Sequence, residues 1–214
     1  MEIFYGDMED SSDSGVPSSS VLKARDISFS YDEKSILDGL SAEFNRGRSY
    51  RLLGENGAGK STFIRILTGL YSPEKGMLED GNGNRLTLRE LRHLVSLAEQ
   101  DSDVFSGTVM ENLFTDDRTE AEGLLRRLGF EKSLDYEVGR DGKGLSPGEK
   151  KKVILTRALL KQSAFLILDE PLNHLDKDAC RVLEKILHED ERGKMIISHK
   201  EMDFGPAELL ALGK

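Results

Sequence analysis

The chain has 214 residues, with 39 Asp and Glu against 30 Lys and Arg, and its formal charge of −9 excludes the basic face of a nucleic-acid coat protein, so no direct nucleic-acid partner is expected. Hydrophobic residues make up 37% and charged ones 32%, a globular composition, and no run approaches the roughly 18 apolar residues of a membrane span. The single Cys180 excludes an internal disulfide framework and a cysteine metal cage, and the first residues lack the basic-then-apolar order of a secretory signal.

Residues 1 to 20 close on a Ser-rich polar stretch with no apolar periodicity and read as a linker. From Val21 the chain alternates through Ile27, Phe29 and Tyr31, and again from Ile36 to Phe44, which predicts an antiparallel β piece. After Tyr50 the pattern changes to short apolar runs separated by turns and helices, the rhythm of a parallel sheet buried on both faces. Its clearest strands are Tyr50 to Leu53, Phe165 to Leu168 and Met195 to Ile197. Between about Thr108 and Lys143 the pattern is helical and charged, with Thr119 to Leu128 the best amphipathic stretch, which predicts a small helical subdomain over about 101 to 160. No repeat of solenoid period is present.

The sequence Gly54-Glu-Asn-Gly-Ala-Gly59-Lys60-Ser61 follows an apolar strand and precedes the helical Thr62 to Leu67. That is a phosphate loop in its proper context: glycines turn the backbone so that N–H groups face phosphate oxygens, and the helix dipole favours an anion. Lys60 would reach the β- and γ-phosphates, and the Ser61 hydroxyl would face Mg²⁺. Ala164 to Leu168 is an apolar strand that ends in Asp169, Glu170 and Pro171. In a doubly wound sheet ligands sit at the carboxyl ends of strands, so Asp169 can hold Mg²⁺ and Glu170 can orient or deprotonate water. Ser146 with Glu149 three residues on forms a capping box, with Pro147 at the first helical position. Three lysines follow, and this helix start points to a second phosphate contact whose owner is open.

In order, these motifs resemble the nucleotide-binding domain of an ATP-binding cassette (ABC) ATPase, over residues 21 to about 200. Gly54 to Thr62, with Asn56 and Gly57 inside it, is similar to Walker A. Gln100 is similar to the Q-loop residue, Leu145 to Glu149 to the signature, Phe165 to Glu170 to Walker B, Leu175-Asp176 to the D-loop and His199 to the switch histidine. The resemblance implies a P-loop α/β cassette with a mainly parallel core sheet, an N-terminal antiparallel β subdomain and a short helical subdomain. It also implies ATP and Mg²⁺ as ligands, with adenine stacked on Tyr31, Mg²⁺ among Ser61, Gln100 and Asp169, and Glu170, His199 and Gln100 around the attacking water. Two cassettes would pair head to tail, so that Ser146 and Gly148 of one touch the γ-phosphate held by the other, and Asp176 would communicate across the pair. The chain departs from the family pattern at Pro147 and Glu149 in the signature, at Asn173-His174 before the D-loop, and at Arg140.

The stretch Gln100 to Leu113 and the stretch Glu137 to Gly142 resemble exporter cassettes, which implies a transmembrane domain in the same polypeptide or a separate chain, at the cytoplasmic face of the cell membrane. The alternative is a non-transport cassette protein acting on ribosomes, suggested by Asn173-His-Leu-Asp176; its relatives resemble tandem cassettes with a basic linker, which this chain lacks. The short interval from Gln100 to Leu145 leaves no room for the insertions of DNA-repair cassettes. A regulatory cassette that binds without hydrolysing is disfavoured by Glu170 and His199.

Overall fold

The computed structural model describes residues 19–212, so the linker expected over 1 to 20 lies almost wholly outside the described residues. Ser19 and Ser20 already touch the domain: the Ser19 hydroxyl accepts from Gly81 N at 3.3 Å, and Ser20 O accepts from Arg46 N. Strands β1 (Val21–Tyr31) and β2 (Lys34–Asn45) form a long hairpin, whose inward side chains Leu22, Ala24, Ile27, Leu37 and Phe44 are buried. After β3 (Ser49–Leu53) and α1 (Lys60–Leu67), β4 (Lys75–Asp80) returns to pair antiparallel with β1. The order in this sheet is β2-β1-β4.

Helix α2 (Leu88–Leu94) leads into β5 (Val95–Ala98). Then come the two-residue β6 (Gly107–Thr108), α3 (Val109–Leu113), α4 (Arg118–Arg127) and the two-residue β7 (Glu137–Val138). The block expected to be helical throughout is interrupted. Gly129 at φ 73° ends α4, and the chain from there to β7 instead supplies Leu134 O and Tyr136 O to the first amides of α3, Met110 N and Val109 N. The remaining elements are α5 (Pro147–Leu160), β8 (Phe165–Asp169), α6 (Lys177–Glu189), β9 (Gly193–Ile197) and β10 (Ala207–Ala211).

The central sheet runs β10-β3-β9-β8-β5, parallel throughout. All residues of β8 and β9 are buried, as expected of strands covered on both faces. The twofold alternation of a strand divides them between two cores. Phe165, Ile167, Met195 and Ile197 join the core under α1 and the antiparallel sheet. Leu166, Leu168 and Ile196 join the core under α3 to α6, where Leu183 and Leu187 of α6 meet them one helical turn apart.

Arg192, between α6 and β9, pairs with Asp190 and donates to Lys161 O at 3.1 Å, satisfying a carbonyl at the end of α5. Burial pushes the Asp190 carboxyl up, but the Arg192 guanidinium overrides this and holds it below its ordinary value. The side chains are 10% and 12% exposed. Removing one partner of such a pair strands the other charge, so Arg192→Ala should cost on the order of 2–3 kcal/mol in urea unfolding, less than a fully dry pair would. Because the folded-state pKa of Asp190 is depressed, the pair stabilises fully above the ordinary Asp range. The deficit of Arg192→Ala should therefore shrink as pH falls below about 4.

Candidate nucleotide site

Parallel register gathers the site. Ala98 lies opposite Leu168, and Asp169 opposite Ile197, so Gln100, Glu170 and His199 leave the sheet at one edge, within two residues of paired positions. The phosphate loop leaves β3 at the same edge. A cavity of about 610 Å³ opens there. Asn56, Gly57, Gly59, Lys60, Ser61 and Thr62 line one wall, Gln100, Asp169, Glu170 and His199 another, and Tyr31 a third.

Among the described α-helices, α1 alone starts without a side-chain cap. Thr87, Thr108 and Ser146 head capping boxes with Glu90, Glu111 and Glu149, while Asp117 and Asp176 cap α4 and α6. Helix α1 begins after Gly59 and has no acid in its first turn. Its first intrahelical bond is Phe63 N to Gly59 O at 2.8 Å, which leaves the amides of residues 60 to 62 facing the cavity at the positive end of a helix dipole. Gly59 is required twice over: its φ is 92°, and a Cβ there would lie 2.8 Å from Leu37 Cδ2. At Gly54, a Cβ would lie 2.9 Å from Leu212 O, so this glycine serves the approach of the chain after β10 and does not line the cavity. Lys60 is held over the loop by Gly54 O at 2.6 Å and Glu55 O at 3.0 Å.

Opposite stand the two acids, both less than a tenth exposed. Glu170 has a left-handed backbone, φ 45°, costly for a side chain with a Cβ. Its amide donates to Ile197 O at 2.8 Å, and its Oε1 accepts from His199 N at 3.1 Å. The His199 ring Nε2 lies 3.7 Å from that carboxylate, and the His199 side chain is 71% exposed. Burial, and then the charge of Glu170, push the Asp169 carboxyl above its ordinary value. Among the described residues no side chain donates to that carboxylate, and it shares the cavity with the Ser61 hydroxyl and the Gln100 amide. This set of oxygen donors around a buried carboxylate fits a hard divalent cation.

Several residues around the site were not singled out from sequence. Lys34, Ile36 and Lys200 line the cavity, and Asn173 was noted only for its resemblance. Lys34, Ile36 and Lys200 belong to no local motif, and only the start of β2 and the chain after β9 bring them in, whereas Asn173 arrives with the chain just after β8. Arg65 of α1 donates to Glu99 Oε1 at 2.7 Å, tying the phosphate-loop helix to the residue before Gln100. Asp176 proves to be the cap of α6, accepting from Ala179 N at 2.8 Å, and it also accepts from Lys152. The three lysines of α5 do not present themselves to an anion. Lys150 donates to Asp141 O, Lys151 to Asp169 O, and Lys152 to Gly129 O and Asp176. Burial drives Lys151 down to about 8 despite Asp169 and Glu170 nearby. Ser146 and Gly148 lie outside the cavity.

A strand, an uncapped glycine loop and a helix facing two acids from a neighbouring parallel strand define a P-loop nucleotide-binding protein. Residues 37–173 match the ABC transporter family. The chain is 34% identical over 190 residues to the glutathione/L-cysteine transport system ATP-binding/permease protein CydC of Escherichia coli (strain K12), covering 82% of this chain and 33% of that one. It is 32% identical over 197 residues to the ATP-dependent lipid A-core flippase of Vibrio vulnificus (strain YJ016), covering 84% and 34%. Among solved structures, a bacterial Atm1-family ABC exporter with ATP bound superposes with a TM-score of 0.82 at 27% identity, over 92% of this chain and 38% of that one. The chain belongs to the ABC transporter family and matches the nucleotide-binding cassette of these relatives. It spans about a third of the length of these relatives. Among the described residues no helix is long and apolar enough to cross a membrane.

Gly59→Ala should destabilise the fold by about 1–3 kcal/mol in chemical denaturation, because strain and overlap act together. A change within 0.3 kcal/mol would show that the loop relaxes at no cost.

Proposed function

We propose that the cavity at the edge of the parallel sheet binds ATP with Mg²⁺ and hydrolyses the γ-phosphate bond, and that this drives export through a transmembrane domain at the cytoplasmic face of the membrane. The observation that carries this reading is that the uncapped amides of α1 and the Asp169–Glu170 pair face one another across one cavity. Tyr31, 41% exposed at the rim, offers a face for adenine. The amides of residues 57 to 62 and Lys60 hold the β- and γ-phosphates, and Ser61, Gln100 and Asp169 hold Mg²⁺. Held there, the cation would supply positive charge to offset that of the phosphate oxygens. Glu170, fixed at Oε1 by the His199 amide, orients a water and takes its proton, and the exposed ring of His199 is free to reach the γ-phosphate.

The domain division follows: residues 1 to 20 are an acidic tether, and 21 to 214 the cassette, with its helical part over about 101 to 160. Ser146 and Gly148 do not reach their own chain's cavity, which supports a second cassette in head-to-tail pairing whose γ-phosphate they touch. Asp176, at the start of α6, is placed to pass the state of one site to the other. An exposed aromatic pair, Phe105 and Phe114, lies just past Gln100 with ring centroids 6.2 Å apart and Arg157 over both. It supports docking of the transmembrane domain beside the Q-loop. The relatives favour export over the ribosomal alternative.

Glu170→Gln should retain ATP binding, stop turnover and trap a pair of chains, seen as a doubling of light-scattering mass on adding ATP. A mass that stays monomeric at millimolar nucleotide counts against head-to-tail pairing. Lys60→Ala should weaken a fluorescent ATP analogue at least tenfold, and an unchanged titration would place the nucleotide elsewhere.

A further inference from the structure

Lys151 is the second of the three lysines on α5, and only 4% of its surface is exposed. Its one hydrogen bond is to a neutral acceptor, Asp169 O at 3.3 Å, and among the described residues no carboxylate oxygen comes within ion-pairing distance. Burying an ammonium without a paired anion is unfavourable, and an apolar side chain of the same length would fill the space at no such cost. Fold stability therefore does not explain a lysine there.

What surrounds it does. The carbonyl that Lys151 grips belongs to the last residue of β8, at the peptide that leads into Glu170, where the chain turns to φ 45°. Lys151 is the buried cation on this side of the peptide, with Asp169, Glu170 and Asp101 the acids nearest to it. Glu170 is held from its other side by Ile197 O and His199 N. Remove the grip on Asp169 O and the strained step loses its hydrogen bond to α5. Lys151 is also three residues past Gly148 and five past Ser146 on one continuous helix.

We propose that Lys151 is a positioning residue for the hydrolytic acids: its hydrogen bond to Asp169 O fixes the Asp169–Glu170 peptide, so that Glu170 stays aligned toward the γ-phosphate. This rests on the reading of Glu170 as the group that orients water. Lys151 does not line the cavity itself.

The test sets activity against stability in the full chain. Lys151→Met removes charge and donor while keeping length, and Lys151→Gln keeps an N–H donor without the charge. The expected result for Lys151→Met is a kcat for ATP lowered at least tenfold, a KM and a fluorescent-nucleotide affinity within twofold of the parent, and a thermal midpoint equal to or above the parent's. Lys151→Gln should lie between the two in kcat. A kcat for Lys151→Met within twofold of the parent overturns the proposal, and so does a loss of kcat accompanied by a lower midpoint or weaker nucleotide affinity, which marks a merely structural role. If Lys151→Met does not fold, Lys151→Gln decides by the same comparison. Failure of the underlying reading looks different: Glu170→Gln would then keep turning over ATP whatever Lys151 does.

Discussion

Asp169 and Glu170 put two carboxylates on consecutive residues at the end of a strand buried on both faces, and burial, then the neighbouring Glu170, raises the cost of charge on Asp169. An isolated chain end would splay them into water. Here β5 and β9 clamp β8 in parallel register, so the acids cannot retreat from the edge where the ligand-facing loops converge. The Ile197 carbonyl and the His199 amide hold Glu170 from one side, while Lys151 grips Asp169 O from the other. The open amides of α1 across the cavity complete the arrangement. Negative charge on one wall and unpaired donors on the other leave a gap suited to a polyphosphate with its cation.

The glycines and the register act together. β3 delivers its loop to the same edge as Asp169 because it pairs parallel to β9, which pairs parallel to β8. Gly59 then allows α1 to begin with no side chain over its amides and with Leu37 of the hairpin packed against the turn. The antiparallel sheet thus shapes the loop from outside the parallel core, and through Tyr31 it also supplies the rim of the cavity.

Much of this was legible in the residues. The alternation after Val21, the continuous apolar run of β8 and the capping box at Ser146 are local patterns, and each maps onto the element it predicted. Phosphate-loop and acid motifs were equally readable, because their spacing is local and parallel topology brings their ends together. The rest depends on partners far apart in sequence. Nothing near Lys151 or Lys152 announces that they turn inward to Asp169 and Asp176, 18 and 24 residues away. Lys34 and Lys200 reach the cavity only after the hairpin and β9 have been placed. The charged block before α5 read as helix throughout because its amphipathic stretch is real, but Gly129 and the carbonyls that close α3 break it.

The two helix starts differ in a way that bears on how cassettes would pair. Helix α1 has no side-chain cap over its first amides, so an anion bound there would find them open. The start of α5 is already satisfied: Glu149 N donates to the Ser146 hydroxyl, and Ser146 N to Glu149 Oε2. A bare carboxylate at that position would repel an incoming γ-phosphate. Burial raises the cost of the Glu149 charge, yet Lys132, paired with its other oxygen, and the Ser146 amide hold the carboxyl below its ordinary value, and Lys132 neutralises it locally. Pro147 has no N–H to offer, which leaves the Ser146 hydroxyl and the Gly148 amide as the donors a partner's phosphate could meet. Gly148 is itself confined, since a Cβ there would lie 2.8 Å from His174 O. The unusual residues of this signature therefore act in opposite directions: Pro147 removes one donor, while the Glu149–Lys132 pair removes the repulsion that an acid at this helix start would otherwise impose. In the proposed head-to-tail pair, a partner's phosphate would meet a weaker but electrically near-neutral helix start, and the open helix α1 would be the tight end of the contact.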